Sequence, residues 1–561
     1  MTLVFNQIYF LFIVFCIIVI YMLKLMLEKY SYFLYPILFA ILGGCIYGPS
    51  LVDSKPLWDD NHFLFESTRF LQASSFIEFF AQGKSTARSW PLTYSFLWGI
   101  YHFFSANYFV YKLINLFFHI LNAFLVFKLL GQVNRGFSLI LALIFLVHPG
   151  QVESVSWIFQ LSTLASTTFL LLTIYYCSKL LKAHSNNKYL TLSGAFFLIS
   201  LLFKVTAILL PIFILFYLYT YKSFLLKKKH VVLWLVLLFS LSAWRGSLTM
   251  GGAVNTPIEK RSSHHYLVFD KMHQATLSHS FLSQTKKNSI TNKYDGRSLI
   301  QKAAAKIHLV LSSFGHYLTN LYSSENLFFY AKTETLSLVN TFQGILFLGV
   351  TLFIILFKKF KLFHILSSFI LFLCLYIPIS GIFYIPYMKY SFVADHWFYA
   401  PLIGLLMMVS ILMNKIDKTV YIKSLKVLFL FSILNFSYSS FNYSQLFSSP
   451  VDLLTHNIKH NPKQSFLYIL VSEFYYKKSD YVSGIKILES WPDKEHIDIL
   501  NMKLFGYLKL ANYEFASKTL FKLAEKAFVA KNNDLVESYF KLLMKVNPKS
   551  RYVNMILDRF Y

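Results

Sequence analysis

The chain has 561 residues, of which 56% are hydrophobic and only 14% charged. Soluble domains carry about a quarter charged residues, so composition excludes an ordinary water-soluble protein and points to a bilayer. A net charge of +27 on so apolar a chain points to anionic lipid headgroups or an anionic lipid-linked ligand rather than to nucleic acid. The four cysteines, Cys16, Cys45, Cys177 and Cys374, all lie in apolar runs and form no disulfide or metal framework.

In chain order, the run "MTLVFNQIYFLFIVFCIIVIYMLKLML" carries no small-residue cleavage site and is expected to be a retained span. With about 20 apolar residues per crossing, twelve candidate spans follow: 3–23, 32–48, 109–130, 137–148, 155–178, 189–203, 205–221, 231–249, 339–357, 362–383, 397–414 and 424–442. The run 137–148 is short enough to be re-entrant. Basic clusters at Lys24/Lys29, Lys128/Arg135, Lys179/Lys182/Lys188, Lys222/Lys227/Lys228/Lys229, Lys358/Lys359/Lys361 and Lys415/Lys418/Lys423 fall on alternate connections. Lysine and arginine near span ends stay cytoplasmic. The segment 49–108, the turn at 148–154, the loop 250–338 and the tail after 443 are therefore expected on the outer face. Loop 250–305 is itself basic; long loops cross despite charge, and it is either a solvated loop or an anion-facing lid.

From residue 450 the composition changes: 12 of the 26 acids lie in the last 112 residues, with 17 Lys and Arg, so this stretch faces water. It reads as a series of amphipathic helices. The breaks "KKSDY" and "KLANY" set Tyr481 and Tyr513 32 residues apart, close to the 34-residue helix-pair repeat. Asn461–Pro462 and Asn547–Pro548 mark helix boundaries. The expectation is a membrane domain over 1–449 and about two and a half tetratricopeptide-like repeats over 450–561, or else a non-repeat helical bundle there. The fold class is all-α throughout.

Acids are scarce before residue 450, so their positions matter. Asp59 and Asp60 stand together after an early span, Glu153 lies in "HPGQVESVSWIFQLSTLAS", and Asp395 lies in "SFVADHWFYAPLIGLL". All three sites reach the outer face on the topology above. Adjacent carboxylates cannot share one helix face, so one of the pair can point to chemistry while the other holds geometry. A carboxylate at an apolar boundary can serve as general base, because partial desolvation raises its pKa; each acid alone could also be a headgroup-facing cap. In "YKLINLFFHILNAFLVFKLL", Asn115, His119 and Asn122 share a helix face and suit interhelical hydrogen bonds. Lys204, between two spans at the outer surface, can bind phosphate or snorkel to the headgroups. There is no Walker loop, no HExxH and no CxxC, so no ATP site, metal or cofactor is expected.

Taken in order, "PLWDD", "PLTYSFLWGIYHFFSANYFVYKLINLFFHILNAFLVFKLL", "HPGQVESVSWIFQLSTLAS", "LLFKVTAILLPIF" and "VADHWFYAPLIGLL", followed by a repeat-rich tail, resemble the membrane O-mannosyltransferases that carry tetratricopeptide repeats and their bacterial relatives, within the GT-C glycosyltransferase fold. The resemblance implies a polyprenyl-phosphate sugar donor, inversion at the anomeric carbon, and a protein or glycan acceptor. It implies that the pair Asp59 and Asp60 supplies the base, with Asp59 favoured. His148, Pro149 and Glu153 match the family's "HPxxxE" stretch, and Asp395, His396, Tyr399, Pro401 and Gly404 its "ADR-Y-Y-P-G" stretch. Departures occur where the family carries basic groups: Trp90 precedes Pro91, with Arg88 two residues earlier; Gln160 and His396 occupy positions where a basic residue is common. Phosphate binding then falls to Arg88, Lys204, His396 or the basic loop. The expected setting is a bacterial inner membrane with the repeats in the periplasm, although an endoplasmic-reticulum membrane gives the same topology. A membrane scaffold without catalysis, and less readily a transporter, are the other readings; no acid falls at a span centre and the two halves show no symmetry.

Overall fold

In lipid every backbone amide must be satisfied within the protein, which helices achieve unaided. In the computed structural model of the chain, every regular element among the described residues is helical. Those residues are 31–52, 55–57, 60–65, 70–71, 90–182, 187–222, 225, 227–254, 299–321, 338–356, 362–383, 385–389, 391–414, 416, 419–493 and 495–560. The expected span 3–23, Asp59, Arg88 and most of the basic loop lie outside them.

Packing divides the chain into two units: residues 1–252 with 302–449, and residues 253–301 with 450–561. The first contains α1 (Ser31–Leu51), α2 (Pro91–Phe104), α3 (Tyr108–Leu130), α4 (Arg135–Val147), α5 (Val152–Ser156), α6 (Leu161–Lys182), α7 (Asn187–Phe203), α8 (Leu210–Lys222) and most of α9 (Lys229–Val254). It continues with most of α10 (Leu299–Asn320), then α11 (Leu338–Leu356), α12 (Leu362–Tyr376), α13 (Pro401–Met413) and α14 (Thr419–Leu446).

Among the described residues, five stretches are long and apolar enough to cross a bilayer: Leu34–Leu51, Tyr108–Leu130, Ile158–Leu180, Lys229–Ser247 and Thr419–Leu446. A sixth arises if Arg135–Val147 and Pro149–Ser156, bent by 55°, act as one crossing. The chain is thus a helical membrane protein. Five further expected spans are shorter apolar helices: Asn187–Phe203, Val205–Tyr221, Leu338–Thr351, His364–Ile379 and Pro401–Met413. Prolines account for part of the shortening. Pro378 sits in a closing 3-10 turn, Ile377–Ile379, and Pro401 opens α13, where its missing N–H is harmless. Leu233, Val236 and Leu237 on α9, and Val427, Leu428 and Phe431 on α14, are exposed apolar side chains, as lipid-facing helices require.

Close helix crossings use glycine. A Cβ on Gly404 of α13 would stand 2.7 Å from the Phe372 backbone of α12. Gly315 of α10 lies against the Asn340 backbone of α11, and Gly344 of α11 against Leu311 of α10, so that pair crosses backbone to backbone. Thr319 donates to Gln343 across the same crossing at 2.8 Å.

The second unit holds α15 (Pro450–His460), α16 (Ser465–Lys477), α17 (Tyr481–Glu489), α18 (Ile497–Lys509), α19 (Tyr513–Val529), α20 (Asn533–Val546) and α21 (Arg551–Phe560), around a core that includes Trp491, Leu520, Leu543 and Ile556. Three of its helix joints share one geometry. Ser479 (φ 62°), Ala511 (φ 52°) and Lys531 (φ 55°) take left-handed backbone. The next amides, of Asp480, Asn512 and Asn532, donate five residues back to Tyr475, Tyr507 and Ala527. These are Schellman closures. The same Asp480, Asn512 and Asn532 side chains then accept from Ser483, Phe515 and Leu535, capping α17, α19 and α20.

Candidate active site

The break between α4 and α6 is the scaffold of the site. Pro149 stops α4. His148 is extended, and its Nδ1 accepts from Gly150 N at 3.1 Å, which starts the 3-10 turn Pro149–Gln151. Helix α5 lasts five residues before Trp157 turns extended, and a second 3-10 turn, Ile158–Gln160, leads into α6.

One face of α3 holds this broken segment. Asn115 Nδ2 donates to Trp157 O at 2.8 Å and more weakly to Val155 O at 3.3 Å. His119 donates through Nε2 to Leu146 O at 2.9 Å, so its Nδ1 accepts from Tyr399 OH at 2.8 Å. Asn122 Nδ2 donates to Leu164 O at 3.0 Å and to Tyr399 OH at 3.1 Å, and its Oδ1 accepts from Thr168 at 2.7 Å. Tyr399, expected to contact substrate, is thus fully buried and engaged with α3. Gly404 serves the α12–α13 crossing described above.

Three distant stretches meet at the break. Glu153, fully buried, accepts the His396 backbone amide on Oε2 at 3.0 Å and pairs with His396 Nδ1 through Oε1 at 2.7 Å. Burial, followed by the nearby Lys204 cation, drives His396 well below the usual imidazole range. The 2.7 Å contact is a hydrogen bond between the buried ring and the buried carboxyl. Asp395 accepts from Asn320 at 3.2 Å on Oδ1, while its buried Oδ2 has no partner among the described residues. Burial and the neighbouring Glu153 carboxyl push Asp395 well above the usual carboxylate range.

Asp60, just ahead of the π-turn Asn61–Phe65, is also fully buried. Its Oδ2 accepts from Leu57 N at 2.9 Å and its Oδ1 from Phe159 N at 3.0 Å. Burial raises Asp60 to about 7, opposed by these two amides, the Lys112 cation and the Trp157 indole. Trp157 stands between the two acidic centres: its indole acts on Asp60, and its ring lies 5.6 Å from that of His396.

Lys204, between α7 and the turn Val205–Ala207, donates to Thr163 Oγ1 at 2.7 Å and makes a long 3.5 Å contact with Gln160 Oε1. Its ammonium lies 5.5 Å from the centre of the Trp90 ring. Burial lowers Lys204 to about 7, with the Glu153 carboxyl pulling it back up.

Further polar atoms line the same segment. His148 Nε2, Gln151 Oε1, Ser154 Oγ, Ser156 Oγ and the hydroxyl of Tyr443 are buried without partners among the described residues. Buried polar atoms are normally paired, so this stretch is rich in unused donors and acceptors. No three His, Cys, Asp or Glu side chains among the described residues converge to hold a metal ion. The sequence reading missed Lys112, Trp157, Asn320 and Tyr443. Only Lys112 left a signal, one turn before Asn115 on the same polar face of α3.

Compared with protein families, curated proteins and solved structures, the chain matches none.

Proposed function

We propose that the chain is a membrane glycosyltransferase of GT-C type. It would transfer a sugar from a polyprenyl-phosphate carrier to a hydroxyl of a protein or glycan on the outer face of the membrane. The observation that carries the reading is the convergence of Asp60, Glu153, Asp395, His396 and Lys204 about Trp157, from stretches as far apart as residues 60 and 396. A fold likeness alone would not license an activity; this cluster of buried ionisable groups at one broken helix is what supports the reading.

Asp59 is assigned as the base, with Asp60 as the positioning residue beside it. Both Asp60 oxygens already accept backbone amides, so its task is to fix the backbone on which Asp59 stands. In the transfer, the acceptor hydroxyl gives its proton to Asp59 and its oxygen forms a bond to the anomeric carbon. The carbon–oxygen bond to the carrier phosphate breaks with its electron pair, and the configuration inverts. Lys204 would meet the charge that grows on the leaving phosphate, the place where a fixed cation most lowers the barrier. Position 160 has lost the basic residue common in the resembling family. Lys204 reaches that spot from the turn after α7 and contacts the Gln160 side chain itself.

In this reading the apolar helices assemble as about twelve spans, with the outer-face topology given by the basic loops. The second unit is a tetratricopeptide-like domain in the periplasm that holds the acceptor, since stacked helix pairs form extended binding surfaces. The test is transfer of labelled sugar from native lipid extract to a cellular acceptor, comparing wild type with Asp59→Asn and Asp60→Asn at matched expression. Loss in Asp59→Asn with partial loss in Asp60→Asn supports the assignment. Wild-type labelling no higher than empty membranes, across the donors tried, would favour a membrane scaffold.

A further inference from the structure

The turn ahead of α13 is gripped from two sides. On one side Glu153 holds His396 by its backbone amide and its ring. On the other, the last turns of α10 hold the neighbouring residues. The Tyr317 hydroxyl donates to Ala394 O and accepts from Ala394 N, both at 3.1 Å. Its ring stacks on Phe398 with centroids 4.8 Å apart. One helical turn on, Asn320 Nδ2 donates to Asp395 Oδ1 at 3.2 Å and to His316 Nε2 at 3.2 Å. An amide nitrogen has two hydrogens and accepts nothing, so both are spent and His316 Nε2 is the acceptor. Asp395 is buried, with Oδ1 occupied in this way and Oδ2 without a partner among the described residues. A bare buried carboxyl oxygen is costly. A turn held at Ala394, Asp395, His396 and Phe398 leaves it little freedom to find a partner elsewhere in the protein.

We propose that Asp395 Oδ2 is a hydrogen-bonding site for a sugar hydroxyl, and that Asn320 is the positioning residue that dedicates it by holding Oδ1 between α10 and the turn. The sugar rests on the transferase reading above; the setting of Asp395 by Asn320 does not. A hydroxyl both donates and accepts, so it satisfies Oδ2 whether or not that oxygen carries the carboxyl proton. A cation suits only the ionised carboxyl, and a phosphate oxygen only the protonated one. Water meets the same requirement as a hydroxyl, and the experiment separates the two.

The experiment is infrared difference spectroscopy of the purified full-length protein in lipid nanodiscs. Burial and the Glu153 carboxyl push Asp395 well above the usual carboxylate range. Its protonated-carboxyl band is therefore present at neutral pH, and is assigned by its loss in Asp395→Asn. Without ligand, Asn320→Leu should move this band to higher wavenumber, because the bond from Asn320 no longer weakens the C=O. A band left at the wild-type position overturns the positioning. Should that variant not purify, Asn320→Ser, whose shorter side chain loses the reach to Oδ1, is read with the same expectation. The probes are native lipid extract, bare polyprenyl phosphate and a mixed oligosaccharide fraction. A wild-type shift with the lipid extract but not with bare polyprenyl phosphate places the hydroxyl on the donor sugar. A shift with oligosaccharide alone places it on the acceptor. No shift with either sugar source leaves only water on Oδ2, and an equal shift with the bare carrier points to phosphate; each overturns the sugar site. Sugar transfer is assayed on the same samples. A band shift without transfer removes the transferase reading and keeps a sugar-binding site, whereas transfer without a band shift removes this site alone.

Discussion

Glu153 and His396 are 243 residues apart in sequence and meet through two hydrogen bonds, one from the backbone and one from the ring. This double contact ties the broken segment after α4 to the turn before α13. The Asp395 backbone amide also lies close to the Glu153 carboxyl. Glu153→Ala would strand these buried donors at about 1–3 kcal/mol each, whereas Glu153→Gln keeps one acceptor. Thermal unfolding in detergent should show a large drop for Ala and a smaller one for Gln. Equal melting of both variants with wild type would remove Glu153 from this role.

Asp60 links stability to pH. Its folded value, about 7, lies above the ordinary 3.8. Between these values the folded state binds the proton more tightly than the unfolded chain. The stability this confers is fully present below about pH 4 and lost as pH rises through about 7. Apparent melting temperature should therefore fall across this window more steeply in wild type than in Asp60→Asn, whose amide does not titrate. Parallel curves would show that another group sets the slope.

On the transferase reading, Lys204 makes the opposite kind of prediction, on donor binding. Burial holds it near 7, so the empty site loses its cation as pH rises through neutrality. The KM for a lipid-phosphate donor should climb above about pH 7 in wild type. Lys204→Arg should flatten that climb, because guanidinium stays charged, and Lys204→Gln should show high KM at every pH. A KM in Lys204→Gln equal to wild type at acidic pH would exclude phosphate contact by this lysine.

At Gly404 the Phe372 backbone leaves no room for a side chain. Gly404→Leu should part α12 from α13 and cost more than the 1–3 kcal/mol typical of overpacked cores. Gly349, where a Cβ would meet nothing within 4 Å, is the control and should accept alanine with little change. The readout is the yield of monodisperse protein together with its melting temperature.

The sequence carried the helical membrane class plainly, because long apolar runs leave few alternatives in lipid. Asn115, His119 and Asn122 were legible as one face from their spacing, and their hydrogen bonds to Trp157, Leu146 and Leu164 follow from it. Lys112 continues that face, yet its partners Ser50 and Phe447 are distant from it in sequence and no local pattern announces them. The meeting of Glu153 with His396 was hidden for the same reason: periodicity fixes faces, not long-range pairs. Tyr399 was expected at the site from the family resemblance alone; its burial comes from the polar face of α3, which claims its hydroxyl. The span lengths were overestimated where proline and 3-10 turns cut the helices short, at Pro378 and Pro401.

The left-handed closures of the second unit have a practical consequence for engineering. Serine, alanine and lysine occupy backbone positions at 479, 511 and 531 that glycine adopts without strain. Left-handed geometry costs an ordinary residue about 1–2 kcal/mol, and glycine returns about 0.4–1 of this through the greater freedom of the unfolded chain. Ala511→Gly and Lys531→Gly should each raise melting slightly, and together additively, since the two joints terminate different helices. The unit therefore contains a route to thermostabilisation that leaves every core contact intact, which makes it a convenient handle for biophysical work on the full chain.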